Sequence, residues 1–121
     1  MCSGSDSAPH PTSAKQLSAD GTTKPAAGVY TQSYATQYIL LALEDAIDRG
    51  IIAEGDVTQE RLEKFLSSSG RRFYKLPEAE SKIILERKGE RIVEIIKNGD
   101  GSVEVALSRG GAEVFSLKWA A

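Results

Sequence analysis

The chain reads as an α+β protein, and a helical apolar period followed by short β-branched runs carries that reading. From about Gln32 to Arg49, Thr36, Ile39, Leu40, Leu43, Ala46 and Ile47 recur at three- and four-residue steps, which places them on one stripe of a helix. A second helical pattern opens at Thr58. From Ser81 onward Ile and Val gather in short segments separated by turn residues.

Each element has local chemistry behind it. Gly50 can stop the first helix in a left-handed conformation, with Ile51 placed to fold back onto the last turn. The Thr58 hydroxyl can accept a first-turn N–H of the second helix, and Val57 and Leu62 stand where a hydrophobic staple would put them. Leu62, Phe65 and Leu66 supply that helix's buried face, and Gly70 is expected to end it. Ser81–Leu85 and Arg91–Ile96 are predicted strands. Asn98-Gly99-Asp100-Gly101 is a strong turn signal, after which Val103, Val105 and Leu107 alternate with polar residues. Val114, Phe115, Leu117 and Trp119 make the last apolar segment. Residues 1–30, rich in Ser, Ala, Gly, Pro and Thr, have no hydrophobic period and read as loop or disorder.

Composition bounds the function. With 121 residues, 40% hydrophobic and 26% charged, the chain has room for one small domain with a small core. Its formal charge is -2 and both signs are mixed along it, so there is no basic patch for nucleic acid or an anionic membrane. The longest apolar stretch, Tyr38 to Leu43, is far too short to cross a bilayer. The polar start lacks a basic and an apolar region, and Cys2 stands where myristoylation needs glycine. A lone cysteine forms no internal disulfide, so a cytoplasmic location is expected.

The most specific signals are local motifs. Gly4-Ser5-Asp6-Ser7-Ala8-Pro9-His10 is followed by Ala26-Ala27-Gly28-Val29-Tyr30-Thr31-Gln32-Ser33-Tyr34-Ala35-Thr36-Gln37, then by Leu62-Glu63-Lys64-Phe65, Gly70-Arg71-Arg72-Phe73-Tyr74-Lys75-Leu76-Pro77 and Ile83-Ile84-Leu85, and weakly by Leu117 and Trp119. In order and spacing these blocks resemble the C-terminal portion of dihydroorotase, in its short, monofunctional, homodimeric type within the amidohydrolase superfamily. The resemblance covers nearly the whole chain.

That resemblance implies a (β/α)8 TIM barrel, of which residues 1–50 would form the end of strand eight, a substrate loop and the following helix. Residues 51–121 would be a C-terminal extension of one helix and short strands. It implies zinc-dependent, reversible cyclisation of N-carbamoyl-L-aspartate to dihydroorotate, a step of pyrimidine biosynthesis. Asp6 matches the aspartate that ligates zinc and exchanges a proton with the water that zinc acidifies. His10 matches a histidine that binds the substrate carboxylate through a charge-assisted bond. Ala27 matches a residue that contacts substrate through its backbone. By composition alone, Asp6 would be a solvated turn residue and His10 a surface side chain.

The family's other zinc ligands are an early His-x-His pair, a carboxylated lysine and two later histidines. This chain has one histidine, and a catalytic zinc takes about three protein ligands, so the chain alone is expected to be inactive. It reads as the end of something larger, since a barrel needs about 250 residues. Two readings without catalysis stand beside this one: a small α+β interaction module, and a pseudo-subunit that binds an intact enzyme. Arg71 and Arg72 read as favourable charge at a helix end. Tyr34 and Tyr38 read as packing residues, and the run Glu86–Arg91 as a solvated turn between strands.

Overall fold

A computed structural model gives the fold and describes residues 1–120. The elements run α1 (Ala35–Asp48), α2 (Gln59–Glu63), a π-helical turn (Lys64–Ser68), α3 (Ser69–Phe73), then β1 (Lys82–Arg91), β2 (Ile95–Lys97), β3 (Glu104–Ala106) and β4 (Glu113–Ala120), with short 3-10 turns at Thr12–Lys15, Gln32–Tyr34 and Glu54–Asp56. The chain forms two compact units. One comprises Met1–Gly4, Thr36–Lys88 and Phe115–Ala121, the other Ser5–Ala35 and Gly89–Val114.

The first unit is largely helical. The apolar stripe of α1 is half-buried along its length, and Gln37 is its one buried polar side chain. The helix stops as Gly50 predicts: at φ 68 its N–H reaches the Ile47 carbonyl at 2.9 Å, while Ile51 N–H reaches Ala46 at 2.8 Å. These two bonds are a Schellman motif, which satisfies two carbonyls left over at the helix end. The Ile51 side chain nevertheless stays 62% exposed, so most of it is left uncovered where the backbone folds back. Thr58 caps α2, its Oγ1 accepting Arg61 N–H at 3.3 Å, and the staple residues Val57 and Leu62 are both half-buried.

The second helix does not end at Gly70. It continues through the π-helical turn and α3 to Phe73, and Lys75, not a glycine, takes the left-handed stop at φ 55. Lys75 N–H bonds Arg72 at 3.3 Å and Leu76 N–H bonds Arg71 at 2.9 Å, a second Schellman motif. Arg71 and Arg72 therefore lie in the last helical turn, where positive charge complements the exposed carbonyls.

The charged run Glu86–Arg91 is strand, not turn. β1 extends through it and pairs with β4. The charges are accommodated by pairing: Lys118 and Lys88 both reach Glu86 Oε2, at 2.9 and 3.0 Å, and Lys118 first, then Lys88, hold the Glu86 carboxyl below its usual range. Arg87 pairs with Glu44 and places its guanidinium 4.4 Å from the Phe115 ring centre, a cation–π contact.

The second unit contains the buried hydrophobic side chains of the described residues, Ile92, Leu107 and Val114, of which Ile92 and Val114 are fully buried. β2 and β3 pair antiparallel across the predicted Asn98–Gly101 turn, with Ile96 opposite Val105. Asn98 closes it: its carbonyl accepts Gly101 N–H at 3.0 Å and its side-chain oxygen accepts Val103 N–H at 2.9 Å. Leu107 also bridges Tyr30 in parallel fashion, and Ser108 N–H bonds Tyr30 at 3.2 Å. The Tyr34 hydroxyl accepts Val93 N–H at 3.4 Å.

Candidate functional site

The N-terminal polar segment has almost no helix or strand, yet it is tied down by long-range hydrogen bonds. Ala8 N–H bonds Val29 O at 2.9 Å, which sets residues 5–8 beside residues 28–32. Side chains then lock the two segments. The Ser7 hydroxyl oxygen accepts the N–H groups of both Thr31 and Gln32, each at 3.1 Å. Thr31 Oγ1 donates to Ser5 O at 2.9 Å, and Ser5 Oγ donates to Gln32 Oε1 at 2.7 Å. A small residue is required at one crossing point: Gly28 has φ 97, and a Cβ there would lie 2.5 Å from the Ala8 Cβ.

Asp6 sits in the middle of this clamp with φ 44, a left-handed conformation that costs an ordinary residue roughly 1–2 kcal/mol. Its side chain is exposed, and among the described residues it forms no ion pair or hydrogen bond. Asp tolerates this backbone region better than most residues because its side chain is short and polar. The strain is observed, and an outlier of this kind is a pointer to function.

His10 is half-buried, four residues on, just before the 3-10 turn Thr12–Lys15. Ala27 is exposed, and its backbone is framed by Lys15. The Lys15 ammonium donates to the carbonyl of Ala26 at 2.8 Å and to that of Gly28, while Ala26 N–H bonds Ala14 at 2.8 Å. Among the described residues the Ala27 N–H and carbonyl form no hydrogen bond of their own. Ser7 and Lys15 thus tie down the loops that carry Asp6 and Ala27, and sequence reasoning missed both. Nothing in their local sequence distinguishes them, because their partners lie 11 to 25 residues away.

Further out, the loop from Ser18 to Thr23 organises around a carboxylate. Ser18 Oγ donates to Asp20 at 2.6 Å, and Thr22 gives it both its N–H at 3.0 Å and its hydroxyl at 2.8 Å. The Ser18 bond, and then those from Thr22, lower the Asp20 pKa to about 2. As for metal, among the described residues no group of three His, Cys, Asp or Glu side chains is arranged to hold an ion. Among the described residues, no helix is long and apolar enough to cross a membrane.

No family model matches the chain. A Schizosaccharomyces pombe protein named "probable dihydroorotase" is 39% identical over 97 residues, spanning 78% of this chain and 24% of that protein. The dihydroorotase of Saccharomyces cerevisiae is 32% identical over 120 residues, 96% of this chain and 29% of the relative. The crystal structure of the Saccharomyces cerevisiae dihydroorotase in complex with 5-fluoroorotic acid superposes with a TM-score of 0.72 at 31% identity, over 98% of this chain and 30% of that one. In sequence and in fold the chain is thus homologous to one part of a larger enzyme. That enzyme is dihydroorotase, and the chain corresponds to its C-terminal portion, spanning less than a third of its relatives' length.

Proposed function

We propose that the chain supplies the C-terminal share of a dihydroorotase active site, with Asp6 as its acid–base carboxylate. Residues 1–50 would carry the end of the eighth barrel strand, the substrate loop and the following helix, and residues 51–121 the extension beside the barrel. The observation that carries this reading is the clamp between residues 5–8 and 28–32. It spends backbone strain on one exposed carboxylate and leaves that carboxylate without a structural partner.

In this reading each residue has one task in the ring opening of dihydroorotate and its reverse. Asp6 takes the proton of the attacking water and delivers it to the leaving ring nitrogen, the exchange an acid–base catalyst performs. His10 donates to the substrate carboxylate, and the Ala27 backbone, held between two carbonyls fixed by Lys15, offers unpaired polar groups to the ring. Zinc, when bound in the family, acidifies water and polarises the carbonyl under attack. The donor set here does not fit a zinc site by itself. Asp6 is one ligand of the about three that a catalytic zinc takes, and the single histidine is assigned to substrate. A cytoplasmic location and homodimeric assembly go with the reading.

The 121 residues alone are therefore expected to be inactive. Purified chain, incubated with dihydroorotate and added zinc, should show no turnover above the uncatalysed rate. Turnover that vanishes in Asp6→Asn would refute this.

A further inference from the structure

We propose that Ser7 is the positioning residue for Asp6, holding it in its left-handed conformation by accepting two backbone N–H groups across the loop pair. This rests on the reading of Asp6 as the site carboxylate, but the structural part can be tested without any turnover.

The geometry favours Ser7 over its neighbours. A hydroxyl oxygen has two acceptor lone pairs, and here both are used, by Thr31 N–H and Gln32 N–H at 3.1 Å each. These two amides precede and begin the 3-10 turn Gln32–Tyr34, where N–H groups have no partner within the turn itself. Ser7 thus caps that turn from 24 and 25 residues away, and in doing so fixes the chain on the C-terminal side of Asp6. On the N-terminal side, Thr31 Oγ1 bonds Ser5 O at 2.9 Å. Asp6 is the residue between two anchored neighbours, and its backbone follows from theirs. The two anchors differ in kind. The Ser5 bond needs only that residue's carbonyl, so it survives substitution at position 5, whereas the Ser7 anchor is a side chain and is lost without the hydroxyl.

The consequence is separable from general stability. Ile92 and Val114 are buried on a different stretch of the unit, Gly89–Val114, so removing the Ser7 hydroxyl should loosen the clamp while the unit stays folded. The positive φ of Asp6 gives a strong NOE between its own amide and Hα protons, which a residue returned to negative φ does not show.

The test is residue-resolved amide exchange and NOE measurement on the isotopically labelled 121-residue chain as wild type, Ser7→Ala and Ser7→Thr. In the wild type, Thr31 and Gln32 should exchange slowly, and Asp6 should show the strong intraresidue NOE. In Ser7→Ala both amides should exchange about ten-fold faster, as loss of a shared acceptor implies, and the Asp6 NOE should weaken while amides around Ile92 keep their protection. Ser7→Thr, which keeps the hydroxyl, should restore both. Fast exchange at Thr31 and Gln32 in the wild type overturns the proposal, and so does Ser7→Ala leaving the Asp6 NOE unchanged. If Ser7→Ala unfolds the unit entirely, protection around Ile92 is lost as well, and the claim of a local positioning role fails. Failure of the functional reading would look different: an intact clamp, with Asp6 irrelevant to turnover.

Discussion

Gly28 passes so close to Ala8 that a Cβ on it would lie 2.5 Å from the Ala8 Cβ, closer than two such atoms ever approach. The loop pair that carries Asp6 and Ala27 is built on that contact. Gly28→Ala adds both the clash and an L side chain at φ 97, and each partner atom is fixed to backbone. The expected loss is about 1–3 kcal/mol, with the Ala8 amide losing protection. Gly99→Ala is the control: its Cβ meets nothing within 4 Å, and it should change stability by less than about 0.5 kcal/mol. Equal effects of the two in urea unfolding would contradict this account of the loops.

Lys75 terminates α3 at φ 55, a task for which glycine carries no Cβ penalty. Lys75→Gly should stabilise the helix end by up to about 1 kcal/mol, with part of the gain offset by the greater freedom of an unfolded glycine. A rise in the urea midpoint at unchanged slope would confirm it, and a fall would show that the Lys75 side chain contributes more than the backbone costs.

Ile92 is 2% exposed and belongs to the small set of fully buried apolar side chains. Ile92→Ala should cost about 2–5 kcal/mol, a large share of what a domain of this size possesses. Far-UV circular dichroism at 37 °C should show the variant largely unfolded. A loss below about 1 kcal/mol would mean that the site-bearing unit does not rest on this core.

Asp20 should titrate at about pH 2 against an ordinary value of 3.8. The folded carboxyl is the stronger acid, so the loop's contribution to stability is fully present above about pH 4 and fades as pH falls through about 2. Ser18→Ala removes the largest cause, and the midpoint followed by carboxyl carbon NMR should climb toward 3.8. An unmoved midpoint would assign the effect to Thr22 alone.

How legible all this was in the sequence depends on range. Gly50 and Thr58 could be read as helix boundaries because capping is a contact over three to five residues. Gly70 misled, since a glycine permits a stop without compelling one, and the stop fell on Lys75 where the chain could form a Schellman motif. Glu86–Arg91 looked like a solvated turn because its charges mask the alternation, and their partners Lys118 and Glu44 are distant in sequence. The first 30 residues showed no period because their order comes from side-chain bonds to backbone, such as Ser7 to Thr31. Asp6, His10 and Ala27 were singled out by resemblance to dihydroorotase, not by pattern; composition offered only a polar turn.

We propose Asp6 as the carboxylate of a dihydroorotase site to which other parts of the enzyme contribute the remaining ligands. The most direct measurement is turnover of dihydroorotate by the Saccharomyces cerevisiae enzyme with its matching C-terminal part replaced by this chain, with and without Asp6→Asn. The account predicts a folded, active chimera in which Asp6→Asn lowers kcat at least a hundred-fold, as loss of an acid–base group does. A folded chimera with no activity, or one whose activity survives Asp6→Asn, would contradict it.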